Sequence, residues 1–186
     1  MRIITGKLRG RRLEAPYGDS VRPTSDKVKE SIFNMLMGWV EDAVCIDAFA
    51  GTGNLGLEAI SRGAKKVYFF DSSRDSIKYI KNNISYCKVE NQAVVLYGDG
   101  KTNLKRVTEQ VDVIFMDPPY EEDLYIPFIE EVCALDLLAE DGIIVAEHDK
   151  FVTLPDEIGE LKKIKEKKYG RIMVSMYARK EDDIDE

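Results

Sequence analysis

The run AVCIDAFAGTGNLGLEAISR, residues 43–62, decides the fold. It opens as an apolar strand, turns at three glycines, and continues as an amphipathic helix from Asn54 to Arg62. Gly51, Gly53 and Gly56 form GxGxxG between strand and helix, the context that gives this common pattern its meaning. Glycine is required where the turn is tight and a ligand must approach the backbone. Downstream the alternation repeats. Strand KVYFFD precedes helix SRDSIKYIKNNISYC, strand AVVLYGD a short helical stretch, and strand DVIFMD a helix over 125–139; strand GIIVAEH follows. Apolar strands without strict alternation, each followed by an amphipathic helix, predict a mostly parallel sheet covered on both faces, an α/β Rossmann-like fold. ELKKIKEKKY and RIMVSMYARK, joined at Gly170, predict a C-terminal antiparallel hairpin and bring the expected sheet to seven strands.

Upstream, residues 1–21 alternate weakly and contain Gly6, Gly10, Pro16 and Gly18, which suggests a small β-hairpin extension rather than core. RPTSDKVKESIFNMLMGWV then opens a helix. Thr24 or Ser25 can cap it, and Val28, Ile32, Met35, Leu36 and Trp39 recur on one face. The expected organisation is a basic hairpin extension over 1–21, one α/β domain over 22–180, and an acidic tail over 181–186.

In such sheets ligands bind beyond the carboxyl ends of the strands. Those ends carry Asp47, Asp71, Asp99, Asp117 and His148. Asp71 lies twenty residues after Gly51, placed to accept hydrogen bonds from ribose hydroxyls. A dinucleotide needs backbone amides free for its pyrophosphate, but here an acid precedes the loop, in the pattern D-x-F-x-G-x-G. That acid suits S-adenosyl-L-methionine, which carries an ammonium and a sulfonium and no phosphate. The candidate cofactor residues are Asp47, Phe49, Gly51, Gly53, Asp71, Ser72 and Asp99. Asp99 can accept from the adenine amino group, or serve only as a turn residue in YGDG. A nicotinamide-dependent oxidoreductase using the same loop is the competing reading.

That reading leaves DPPY, residues 117–120, unexplained. Proline cannot continue a central strand, so the strand VDVIFM stops there. An exocyclic amine on a nucleobase is a poor nucleophile, because its lone pair is delocalised into the ring. The Asp117 carboxylate and the Pro118 carbonyl can accept both N–H bonds and favour a pyramidal nitrogen. Pro119 stiffens the turn, and Tyr120 can stack on a base taken out of its helix. Cytosine-C5 chemistry needs a nucleophilic cysteine, and none lies in this loop.

The composition is compatible with this chemistry. Against 27 basic residues stand 34 acidic ones, a net charge of −7, but the charge is unevenly spread. Arg9, Arg11 and Arg12 on the N-terminal hairpin, with Arg22 after it, are candidate RNA-phosphate contacts. The basic run at 161–171 reads as the exposed face of an edge hairpin. Cys45, Cys87 and Cys133 are too far apart for a metal or disulfide pattern, so no metal is expected. No apolar run is long enough to span a membrane, no signal peptide opens the chain, and no obligate protein partner is evident. A cytoplasmic location follows.

With these residues in view, the chain resembles the RsmD family of bacterial 16S rRNA guanine-N2 methyltransferases. The similarity extends over RIITGKLRGRRLEAP, RPTSDKVKESIFNML, DAFAGTGNLGLEAISRGA and MDPPY. It implies a class I methyltransferase fold and methylation of the 2-amino group of a guanine in 16S rRNA, on the small ribosomal subunit. It also implies that Asp47, Gly51, Gly53 and Asp71 hold the cofactor, while Asp117, Pro118, Pro119 and Tyr120 form the catalytic motif. Many relatives carry asparagine at the position of Asp117. Adenine-N6 DNA methyltransferases share the four-residue motif, so DPPY alone leaves guanine and adenine open. An RNA-binding assembly factor that retains the fold is the non-enzymatic alternative.

Overall fold

The computed structural model describes residues 1–16, 25–118 and 122–181. Eight strands form one sheet: β1 (Val44–Ala48), β2 (Lys66–Asp71), β3 (Ala93–Tyr97), β4 (Val111–Met116), β5 (Leu138–Asp149), β6 (Glu157–Ile158), β7 (Leu161–Tyr169) and β8 (Ile172–Arg179). Their order is β3-β2-β1-β4-β5-β8-β7-β6. The first five run parallel, and β8, β7 and β6 follow antiparallel. The eighth strand is the two-residue β6, too short to leave a period in the sequence. β5 begins at Leu138, within the stretch expected to be helical, because Val111 N donates to Leu137 O and starts the pairing early.

Among the described residues five α-helices cover the sheet: α1 (Asp26–Met35), α2 (Asn54–Ser61), α3 (Arg74–Cys87), α4 (Gly100–Leu104) and α5 (Tyr125–Ala134). Side chains alternate across each strand, and two cores result. Cys45, Phe69, Val113, Phe115, Val145 and Met176 pack with α1, α2 and α3. Ile46, Phe70, Ile114, Met116 and Ile144 pack with residues of α4 and α5 on the other face. Ser25 caps α1 through a hydrogen bond from Val28 N, and Ser73 caps α3 through one from Ser76 N. No helix among the described residues is long and apolar enough to cross a membrane.

The N-terminal segment is more than an extension. A single bridge, Arg2 to Arg12, defines its hairpin, yet Ile3, Leu8 and Leu13 are buried in the first core. The reason lies in α2, whose eight residues are all buried and include Asn54, Glu58 and Ser61. Buried polar groups need partners, and the arm's backbone supplies them. Ile4 N donates to both Glu58 oxygens at 3.1 and 3.0 Å, and Leu8 N to Ser61 Oγ at 3.0 Å. Lys29, fully buried on α1, donates from Nζ to Arg2 O at 2.6 Å and to Asn54 Oδ1 at 2.8 Å. The arm, α1 and the glycine-loop helix are thereby locked together.

Candidate active site

The sheet order reverses between β1 and β4, and the crevice beyond their carboxyl ends is where such folds take ligands. β1 delivers Asp47 and the glycine loop there. Phe49, Gly51 and Gly53 all adopt left-handed backbone conformations, with φ of 58°, 63° and 84°. A phenylalanine in that region carries strain of about 1–3 kcal/mol, the kind held at functional sites. Its ring packs against Phe128 at 5.7 Å. A side chain at Gly51 would meet open space, so positive φ, not crowding, selects glycine there.

Gly56 serves a different purpose. A Cβ there would lie 2.3 Å from Phe69 Cε1 and 2.9 Å from Val67 Cγ1. Gly56→Ala is therefore expected to lower stability by about 1–3 kcal/mol through overpacking of α2 against β2. Urea unfolding of the variant, read as a drop in midpoint at constant slope, checks this.

Gly53 is the N-cap of α2 and offers no side-chain acceptor. Asp47 takes over that role from β1, its Oδ2 accepting from Gly56 N at 2.9 Å. At 2% exposure its carboxyl is pushed up to about 8, mainly by burial and further by the charge of Asp71, against the pull of the Gly56 N–H. Asp71, ending β2, accepts from Gly51 N through Oδ2 and from Ser73 N through Oδ1, both at 2.9 Å. A carboxylate has further lone pairs for ribose hydroxyls. Ser72 is exposed beside it. Asp99 caps α4, its Oδ2 accepting from Thr102 N at 3.0 Å and Thr102 Oγ1 at 3.1 Å.

Asp117 follows β4, half-buried, with Pro118 buried behind it. Burial raises its carboxyl well above the usual range, and the charges of Glu147 and Asp47 raise it further. Pro119 and Tyr120, like Arg22, lie outside the described residues. Glu147 escaped the sequence reading. The last registered pair of β4 and β5 is Met116 with Ala146. Asp117 and Glu147 come next on neighbouring strands and share a face by alternation with Phe115 and Val145. Glu147 is only 6% exposed. The available signal was a glutamate ending an otherwise apolar strand, one residue before His148. His148 itself is buried on the other face, its Nε2 2.8 Å from Ser175 Oγ and its pKa lowered chiefly by burial.

Of the basic candidates, Arg9 and Arg12 are exposed on the arm, whereas Arg11 is half-buried and donates to Tyr86 O at 3.4 Å. The described residues hold no His, Cys, Asp and Glu cluster suited to a metal.

A mostly parallel sheet with this order and a glycine loop after its first strand define a Rossmann-like fold, and the acids at its strand ends match the site of a methyltransferase. Residues 1–178 match the family model described as Conserved hypothetical protein 95, and the chain belongs to that family. It is 38% identical over 183 residues to YlbH of Bacillus subtilis, provisionally named an rRNA methyltransferase, with 97% of this chain and 100% of the relative covered. It is also 38% identical over 153 residues to the Ribosomal RNA small subunit methyltransferase D of Haemophilus influenzae, covering 81% of this chain and 79% of that one. A solved structure from Escherichia coli, provisionally named the methyltransferase yhhF, superposes with a TM-score of 0.87 at 30% identity, over 97% and 98% of the two chains. The chain is thus a methyltransferase, and the resemblance to the RsmD family holds.

Proposed function

We propose that the chain transfers a methyl group from S-adenosyl-L-methionine to the exocyclic 2-amino group of a guanine in 16S rRNA of the small ribosomal subunit. The observation that carries the choice of base is the side-by-side pair Asp117 and Glu147. Guanine presents two adjacent donors on its Watson–Crick edge, the ring N1–H and the 2-amino group. Two neighbouring carboxylates complement that edge. Adenine presents its amino group beside an unprotonated N1, an acceptor, and a second carboxylate repels it. A site built to hydrogen-bond a particular edge rejects the mismatched one strongly, because buried polar groups are then left unpaired.

The cofactor fits the electrostatics of the crevice. Asp47 and Asp117 are both held towards their neutral forms by burial and by other acids. A cation between the strand ends relieves that repulsion, and a pyrophosphate aggravates it. When bound, S-adenosyl-L-methionine supplies an electrophilic methyl group on a sulfonium. Asp47 fixes the loop and Asp71 receives ribose hydroxyls, with Phe49, Gly51, Gly53 and Ser72 shaping the cradle. Asp99 lies at its adenine end. Asp117 and the Pro118 carbonyl accept from the 2-amino group, Glu147 accepts from N1–H, and Pro119 and Tyr120 complete the motif. No strong base is needed, because the methylated ammonium is acidic enough to release its proton. Arg9, Arg11, Arg12 and Arg22 meet RNA phosphates. An rRNA substrate places the enzyme in the cytoplasm, with no obligate protein partner required.

The test is methyl transfer from labelled S-adenosyl-L-methionine to small subunits prepared from cells lacking this enzyme. Naked 16S rRNA and duplex DNA run in parallel, each followed by nucleoside analysis. N2-methylguanosine from subunits or rRNA is the expected product. N6-methyladenine from DNA would overturn the base and the substrate together.

A further inference from the structure

The basic run at 161–171 divides into two ends with different surroundings. Because β8 runs antiparallel to β5, Asp149 pairs with Ile172, and Ile172 in turn with Tyr169 at the end of β7. The β7–β8 turn at Gly170 and Arg171 therefore stands at the carboxyl edge of the parallel sheet, the edge that carries Asp117. The other end, around Lys163, is tied to Glu166 at 2.6 Å and Leu154 O at 2.9 Å, away from the site.

At the site end the turn after β5 joins the hairpin. Lys150 N donates to Arg171 O at 2.8 Å, and Asp149 orders the turn by accepting from Phe151 N at 2.9 Å. The result is a rim at the turn edge that carries Lys150, Lys167, Lys168 and Arg171 beside an exposed aromatic ring, with Arg171 paired to Asp149 at 3.6 Å and Lys167 over Tyr169 at 5.3 Å. Phe151 is 74% exposed, and Lys150 Nζ lies over its ring at 4.9 Å. Lys150 and Lys168 form no ion pair among the described residues. Phe151 belongs to neither core, and an exposed phenylalanine with a lysine over its face adds little to folding. Cations that track a backbone and an aromatic platform that stacks a base are the components of a single-strand nucleic-acid surface. From β4 to β7 is three strand spacings, about 14 Å, close enough for a strand whose target base sits at Asp117.

We propose that this rim is an rRNA contact, in which Phe151 stacks on an unpaired base near the target and Lys150, Lys168 and Arg171 meet flanking phosphates. The proposal rests on the rRNA reading above and adds a contact surface separate from the N-terminal arm. The test measures binding of the full chain to naked 16S rRNA and to small subunits across a salt series, with cofactor affinity and thermal unfolding as controls. Phe151→Ala is expected to weaken RNA binding about tenfold, the loss of one base–aromatic stack. The double change Lys150→Ala and Lys168→Ala is expected to flatten the plot of log K against log salt by about 1.4, two single-strand phosphate contacts. Cofactor affinity and unfolding should be unchanged in both. Variants that match the wild type in affinity and salt slope would overturn the rim and leave the proposed function standing. So would a loss confined to subunits and absent on naked rRNA, which assigns the rim to a ribosomal protein. A wild-type chain that binds neither RNA nor subunits overturns both readings.

Discussion

Asp117→Ala is expected to reduce methyl transfer by about 10²–10³-fold or more, with cofactor affinity nearly intact. The residue follows the end of β4 beside Glu147, and burial together with the charges of Glu147 and Asp47 raises its pKa. A group in that condition responds to its surroundings. In the free protein the proton stays on Asp117 to a pH well above the usual carboxylate range. The ionised form is the one that accepts from the amine without donating, so turnover falls as pH falls through the raised pKa. A bound cation favours ionisation and moves this acid limb to lower pH.

The asparagine variant separates charge from geometry. Asp117→Asn keeps one carbonyl acceptor and loses the titration. It is expected to retain measurable turnover and to flatten the acid limb of the pH profile. Single-turnover rates for wild type, alanine and asparagine forms across the pH range, with cofactor binding measured separately, decide the matter. An alanine form with normal turnover removes DPPY from the chemistry. An asparagine form that keeps the wild-type acid limb assigns that limb to another group.

How much of this was written in the sequence depends on whether a feature is local. The glycine loop and the helix that follows were legible because turn chemistry and helical period act over a few residues. Asp47, Asp71 and Asp117 were legible as strand ends for the same reason. Glu147 was not, because its pairing with Asp117 is a property of register between β4 and β5, whose paired residues stand some thirty positions apart. The same holds for the β7–β8 turn, whose nearness to the site depends on β8 running antiparallel to β5. Arm residues such as Ile3 and Leu8 read as surface because the polar face of α2 that they cover is itself atypical. In an amphipathic helix Asn54, Glu58 and Ser61 read as the solvent face, so nothing in the period marks them as covered by the arm. The structure also assigns Asp47 a helix-capping task that the motif alone did not disclose, and that double role sets up an unusual trade.

Asp47→Asn is expected to stabilise the cofactor-free protein at pH 8 while weakening its hold on the cofactor. The folded carboxyl has its pKa raised from 3.8 to about 8, chiefly by burial. A raised acid binds its proton more tightly in the folded state than in the unfolded one. Its contribution to stability is therefore complete below the unfolded pKa of 3.8 and is lost as pH rises towards about 8, with a slope of about 1.4 kcal/mol per pH unit for one proton. Asparagine keeps an oxygen for Gly56 N and has no proton to lose, so the loss disappears. Urea unfolding from pH 5 to pH 8 should show wild-type stability falling relative to the variant across that window. Saturating S-adenosyl-L-methionine should narrow the gap, because its positive charge makes the ionised acid welcome, and the variant should bind the cofactor more weakly for want of that charge. Parallel stability curves for the two proteins would mean that Asp47 is already ionised in the free enzyme. Its charge would then be balanced by something other than the cofactor, and the crevice would no longer call for a cationic ligand.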